Sequence, residues 1–197
     1  MNMNKGRKIP FDYEGPVDIF FVAAAEKLNP FFKRLNFTPN HITTIAVFFK
    51  ILTLYYFYYN NYKLAILCSL LQYYFDCCDG NYARKYDMVT KFGDLYDHLT
   101  DYAYAILLII MLIRKNFSMQ KKIGFVTICI LIGSLTFEHV MCTESYLNEK
   151  NIKRYSLINK FNRVEKEPTD CLNKTKDFSL GTLNLVIAIL IYLMYKY

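Results

Sequence analysis

The sequence predicts an all-α fold, a polytopic membrane helical bundle of five to six transmembrane helices preceded by an N-terminal amphipathic helix at the interface. Three observations lead there. Of the 197 residues, 54% are hydrophobic and the mean hydropathy is +0.11, too apolar for an ordinary water-facing surface. The apolar residues gather in runs near the roughly 20 residues a helix needs to cross about 30 Å of hydrocarbon. Lys and Arg, which bring the formal charge to +7, flank those runs as they do on the cytoplasmic side of membrane proteins.

In chain order, Met1 to Lys8 is polar and basic with no apolar run directly after it, which argues against a cleaved signal peptide. Pro16 to Asn36 interleaves Ile19, Phe20, Phe21, Leu28, Phe31 and Phe32 with Asp18, Glu26, Lys27, Lys33 and Arg34. That mixture is too polar to span and predicts an interfacial helix with a bend at Pro30. Residues 1–36 thus read as a cytoplasmic or interfacial segment and residues 37–197 as the membrane domain. Thr38-Pro39-Asn40 starts the first span, His41 to Tyr59. After a turn at Asn60-Asn61, a second helix runs from about Lys63 to Tyr86, apolar as far as Phe75 and then polar. A third begins near Gly93 and becomes purely apolar from Tyr102 to Ile113; a fourth covers Lys122 to Met141, with Glu138 and His139 near its end. Residues 148–176 read as a long polar and basic loop, and Ser179 to Tyr195 is the fifth apolar run.

Strict alternation, with the loop Lys85 to Lys91 cytoplasmic, places about seventeen of the 24 basic residues inside and about six outside, with Lys50 within the first span. Arg114, Lys115, Lys121 and Lys122 then gather outside, which counts against this orientation. Membrane contact accounts for the positive charge without nucleic acid. The six cysteines are scattered, mostly inside apolar runs, and indicate neither a disulfide framework nor a zinc site.

Carboxylates within a membrane cost about 3 kcal/mol each on the lenient scales, and they survive where they line a cavity or bind something. Asp76 and Asp79 share one helix face, and Asp97 and Asp101 share another. Facing across a short loop, the two pairs form a four-carboxylate cluster that must raise its own pKa values or recruit cations. Oxygen ligands favour hard divalent ions, Mg²⁺ first, then Mn²⁺ or Ca²⁺. Gly80 and Ala83 remove side-chain bulk beside the acids, and Arg84 supplies a phosphate-binding fork. Small residues, an Arg and a metal cluster together suggest a nucleotide diphosphate clamped by two ions, with a carboxylate free to take a proton from an attacking hydroxyl.

Asp76-Cys-Cys-Asp79-Gly80-Asn-Tyr-Ala83-Arg84, then eight residues, Gly93, three residues, Asp97, three residues and Asp101 resembles the signature of the CDP-alcohol phosphotransferase family at every fixed position. Thr38-Pro39-Asn40-His41-Ile42-Thr43 also looks like the start of that family's first span. The resemblance implies a helical membrane enzyme of phospholipid biosynthesis, its site open to the cytoplasmic interface, with two divalent metals and a homodimer. A CDP-linked donor would give a phosphatidyl or phosphoalcohol group to an alcohol acceptor and release CMP. By position, Asp76, Asp79, Asp97 and Asp101 would bind Mg²⁺ or Mn²⁺, Asp101 would also act as base, and Asp76, Gly80, Ala83 and Arg84 would hold the nucleotide. Gly93 would permit close helix packing, and Asn40 would lie near the site.

CDP-diacylglycerol with a small polar alcohol is the pairing expected first. The Asp97-His98 pair is reminiscent of the branch that transfers phosphocholine or phosphoethanolamine to diacylglycerol, so that alternative stays open. A cation transporter would leave Gly80, Ala83 and Arg84 without purpose, and a non-catalytic lipid-binding relative would not need all four acids. Asp94 reads as a first-turn acid favoured by the helix dipole. Glu138 and His139 read as interfacial solvation more than as acceptor contacts. Lys50 either reaches a substrate phosphate or snorkels, and the sequence does not choose.

Overall fold

The computed structural model describes residues 5–150 and 167–196. Everything ordered in it is helical: α1 Pro16–Arg34, α2 Pro39–Tyr58, α3 Tyr62–Lys85, α4 Lys91–Arg114, α5 Met119–Glu149, α6 Pro168–Thr175 and α7 Leu180–Lys196. Short 3-10 turns at Phe11–Tyr13 and Lys176–Phe178 lead into α1 and α7. No strand occurs among the described residues.

Local chemistry sets the boundaries. Pro39 opens α2 at a position where its missing N–H costs nothing, and Thr38 N donates to His41 Nδ1 at 3.2 Å. Thr90 caps α4 by accepting from Gly93 N at 3.0 Å, while Asn61 and Ser118 do the same for α3 and α5. The ends of α1, α2 and α3 are each followed by a residue at positive φ, respectively Asn36, Asn60 and Asp87. These are the side chains that tolerate the left-handed region best after glycine.

Among the described residues, four helical stretches are long and apolar enough to cross a membrane: α2, α4, α5 and the continuous stretch Pro168–Lys196. Helix α3 is long enough at 24 residues, but its last three turns carry Asp76, Asp79, Arg84 and Lys85. It sits at the centre of the bundle, against α1, α2 and α7. Its apolar half packs Ala65 with Leu54, Phe57, Leu108, Leu112, Phe125 and Ile191 at one end of the bundle. Its polar half joins a second core, Ala25, Phe32, Ile42, Cys78 and Tyr82, at the other. The outward faces of α4 and α5 keep Leu99, Tyr102, Ile106, Ile113, Ile123, Ile130 and Leu131 exposed, as a lipid-facing surface requires. The protein is an integral membrane helical bundle.

Three expectations need correction. Helix α5 continues to Glu149, so Glu138 and His139 lie well inside it and not near its end; the polar residues after Met141 face the protein interior, which hydropathy alone does not reveal. The stretch 148–176 contains α6, while residues 151–166 of it lie outside the described part. Cys142 and Cys171 form a disulfide joining α5 to α6, a pairing that spacing does not betray because it depends on α6 folding back along α5. Helix α1, for its part, runs unbroken through Pro30 and buries Val22, Ala25, Asn29 and Phe32, with Phe20 and Phe31 exposed.

Ala65 has no exposed surface, so Ala65→Leu should overpack the core and cost about 1–3 kcal/mol, seen as a lower melting temperature in detergent. Leu67→Ala, at a position 52% exposed on the same helix, should stay within about 0.5 kcal/mol of the parent.

Candidate active site

The polar ends of α3 and α4 meet because the connection between them is only Tyr86 to Thr90. On α3, Asp76, Asp79, Gly80 and Ala83 recur at helical spacing and face α2 and α4; on α4, Gly93, Asp94, Asp97 and Asp101 do so in return. These residues, with Arg84 and Asn40, line one cavity of about 320 Å³.

Within it, ligand oxygens of Asp76, Asp97 and Asp101 lie within 4.8 Å of one another. Asp79 lines the same cavity but stands outside that triplet, beside Thr43 of α2. The structure therefore brings three of the four acids into one group and sets the fourth next to it. Asp76 Oδ1, Asp79 Oδ2 and Asp97 Oδ1 are buried without a hydrogen-bond partner. Such orphans are expensive in a low-dielectric interior, and unpaired carboxylate oxygens from two helices are the donor set that a hard divalent cation takes.

Lys50, left open by the sequence, does not snorkel. Its side chain is 3% exposed, and Nζ donates to Asp101 Oδ1 at 2.5 Å and to Thr100 Oγ1 at 3.3 Å, with Asp76 Oδ1 3.7 Å away. It is an internal counter-charge to the acids. The signal was available: Asn40, Thr43 and Lys50 are spaced three and seven apart, one face of α2.

Close approach explains two of the glycines. A Cβ at Gly93 would lie 3.0 Å from Asn40 Oδ1 and 3.1 Å from Thr90 Oγ1, so side-chain bulk there would press on the Asn40 amide and on the helix cap. At Gly80 a Cβ would meet the Arg84 guanidinium at 3.0 Å. Arg84 folds back over that glycine while its Nε donates to the Gly6 carbonyl at 2.7 Å, an anchor to the N-terminal segment that no local pattern announces. Asp94 stands in the first turn of α4 and also lines the cavity, and its carbonyl accepts from His98 Nδ1 at 2.7 Å.

The cavity extends past Tyr73 and Cys77 to a second end that the motif does not describe. There Lys8, Glu14 and Asp18 meet His139, Thr143 and Glu144 of α5 and Leu180 of α7. Glu14 pairs with Arg7, which also reaches Glu26 at 3.2 Å, and Lys8 pairs with Glu144 at 3.2 Å. Burial pushes the Glu14 carboxyl up to about 7 against the opposing pull of the Arg7 guanidinium. Of the expected pair at 138–139, only His139 lines the cavity; Glu138 is exposed. Residues 8–18 and 144 escape sequence reasoning because nothing local ties them to the acids.

The model of the CDP-alcohol phosphatidyltransferase family matches residues 36–196. A CDP-diacylglycerol–glycerol-3-phosphate 3-phosphatidyltransferase of Rickettsia felis is 36% identical over 81 residues, 40% of this chain and 45% of that relative. The protein of the same name from Rickettsia prowazekii is 35% identical over 81 residues, again 40% of this chain and 45% of the relative. An uncharacterized protein of Aquifex aeolicus is 34% identical over 82 residues, 42% of each chain. The chain thus matches less than half the length of each of these relatives. No solved structure matches it. With the family model covering most of the chain and the acids, small residues and arginine of its signature gathered in one cavity, the chain belongs to the CDP-alcohol phosphatidyltransferase family.

Proposed function

We propose that this protein is a metal-dependent transferase that moves a phosphatidyl group from CDP-diacylglycerol to the hydroxyl of a small polar alcohol and releases CMP. The observation that carries this reading is the approach of the Asp76, Asp97 and Asp101 carboxylates to within 4.8 Å, in one cavity with Gly80, Ala83 and Arg84. The names of the Rickettsia relatives support the donor.

Asp76, Asp97 and Asp101, with Asp79 beside them, are the residues to hold Mg²⁺ or Mn²⁺, and their orphaned buried oxygens fit that group. Bound ions would supply the positive charge that offsets the diphosphate and the departing CMP. Gly80 and Ala83 leave backbone-level room for the nucleotide, and Arg84, tethered through Nε, holds its guanidinium at the cavity wall. Asp101 is the base: its side chain is 46% exposed against 21% for Asp76, and with Lys50 engaging Oδ1 the alcohol's proton would go to Oδ2. The acceptor oxygen bonds to the phosphatidyl phosphorus, its proton passes to Asp101, and the bond from that phosphorus to CMP breaks.

This reading takes α2, α3, α4, α5 and α7 as five spans, residues 1–36 as the interfacial segment with Phe20 and Phe31 toward lipid, and residues 37–197 as the membrane domain. It includes a homodimer, supported by the family resemblance. The excess of basic residues on the site's side supports a cytoplasmic opening; the Cys142–Cys171 disulfide beside the cavity argues for an oxidising compartment. Labelling of an engineered cysteine at the exposed Asp87 with an impermeant maleimide in sealed vesicles of known sidedness decides between them, and reaction from the cytoplasmic side is the expected result.

Purified protein in lipid with Mn²⁺ and CDP-diacylglycerol should release CMP only when an alcohol is supplied, and EDTA should abolish release. Release from CDP-choline with diacylglycerol in place of this pair would reassign the donor. Asp101→Asn should lower kcat at least about 100-fold, the scale of a lost general base, with the melting temperature little changed; normal turnover would remove it from that role. Lys50→Met leaves the acids without their counter-charge. It should melt lower than the parent in EDTA and gain more from added Mn²⁺ than the parent does.

A further inference from the structure

The second end of the cavity has a hydrogen-bonding polarity that its contacts make explicit. Tyr73 spends its hydroxyl proton on Asp18, whose Oδ1 also accepts from Gly181 N at 2.9 Å. Thr143 spends its proton on the His139 carbonyl at 2.9 Å. Thr175 donates to the Cys171 carbonyl, so the 3.0 Å contact between His139 Nδ1 and Thr175 Oγ1 must be a donation from the imidazole, which leaves Nε2 of the neutral ring as an acceptor. The protons of these side chains are used within the protein. Apart from the Lys8 ammonium, 3.2 Å from Glu144, what this wall offers a ligand is lone pairs: carboxylate oxygens of Asp18 and Glu144, hydroxyl oxygens of Tyr73 and Thr143, and the imidazole nitrogen.

Charge points the same way. Among the described residues eight carboxylates line the cavity against two basic side chains, Lys8 and Arg84, and Lys8 is paired with Glu144. Two divalent ions, with Lys50 and Arg7 behind the wall, would bring that lining to neutrality at most, and the donor's diphosphate would then make it negative again. Protonation of Glu14 does not reverse the sign once the donor is bound.

We propose that Asp18, Tyr73, His139, Thr143 and Glu144 form the acceptor subsite, and that it takes an alcohol rich in hydroxyl or ammonium donors and bearing no phosphate. This rests on the transferase reading above. A phosphorylated acceptor such as glycerol 3-phosphate brings acceptor oxygens to a wall of acceptors and adds negative charge to a negative cavity, a juxtaposition that interfaces use to exclude wrong partners. Free hydroxyls or an ammonium group complement both features. The subsite adjoins Asp76 through Tyr73 and Cys77, one helical turn away on α3, so a bound alcohol would present its hydroxyl to the acid cluster.

The test uses the full chain in lipid nanodiscs with Mn²⁺ and CDP-diacylglycerol, measuring CMP release with glycerol 3-phosphate, glycerol, inositol, serine and ethanolamine. The expected result is that an unphosphorylated alcohol exceeds glycerol 3-phosphate in kcat/KM by at least about 100-fold, a like-charge penalty of ordinary size. Glycerol 3-phosphate as the best acceptor overturns the proposal and leaves the transferase reading standing. No release with any acceptor overturns both. Glu144→Gln, close to isosteric, should raise the KM of the preferred acceptor about tenfold with donor KM and Mn²⁺ affinity unchanged; an unchanged acceptor KM removes Glu144 from the subsite.

Discussion

The constraint on which this structure depends is the cost of holding several carboxylates together inside a membrane protein. Three of them present oxygens within 4.8 Å of one another, and three buried carboxylate oxygens of the site lack any hydrogen-bond partner. Like charges at that range repel strongly where water is excluded. Lys50 is the protein's own response, an ammonium carried in by α2 and buried against Asp101 and near Asp76. Its single charge cannot balance the group, and the divalent cations proposed for the site would both offset the remaining charge and stabilise the bundle by binding there.

The same constraint shapes the helices around the acids. The polar end of α3 must lie inside the bundle, so α1, α2 and α7 all pack on it. Packing at that density requires small residues where backbones meet. Gly93 admits Asn40, and Gly181 lets α7 approach Asp18 and Tyr73, where any side chain would clash with both. The buried Asn29 side chain donates to Asn81 at 2.6 Å and ties α1 to the face of α3 away from the acids. Thus α1, which by composition belongs at the interface, is also a structural wall of the cavity. Its exposed Phe20 and Phe31 and its buried Ala25 and Phe32 show both duties on one helix.

Much of this was legible in the sequence where information is local. Helix starts follow from Thr38-Pro39, Asn61, Thr90 and Ser118, and the lining residues Asp76 to Asp101 follow from helical spacing across a five-residue connection. What escaped depends on contacts between distant segments. The length of α5 was underestimated because Cys142, Thr143, Glu144 and Ser145 look like a polar helix exit, whereas all four are buried by α6 and the N-terminal segment. The disulfide needs α6, and α6 is too short and polar to stand out of residues 148–176. Lys50 was ambiguous because a lone Lys in a span has two ordinary explanations, and only the position of Asp101 relative to α2 excludes snorkelling. Asp79 was grouped with the other acids by spacing and by the resemblance; it lines the same cavity, outside the triplet of closest oxygens, with Thr43 of α2 beside it.

This division between local and distant determinants has a functional meaning. The half of the cavity that fits a nucleotide and metals is encoded within 26 consecutive residues, so its geometry is set by two helix ends and one short loop. The other half is assembled from residues 8–18, from Tyr73, from 139–144 and from Leu180, segments that span almost the whole chain. The two halves share only the stretch of α3 around Tyr73 and Asp76. Substitutions on α1 or α5 can therefore change what the second half binds without moving the acids, whereas no change near Asp76 leaves the chemistry intact. Under the proposed transfer, the donor and the bond-breaking step would stay constant while the alcohol accepted would be set by the wall that the signature does not contain.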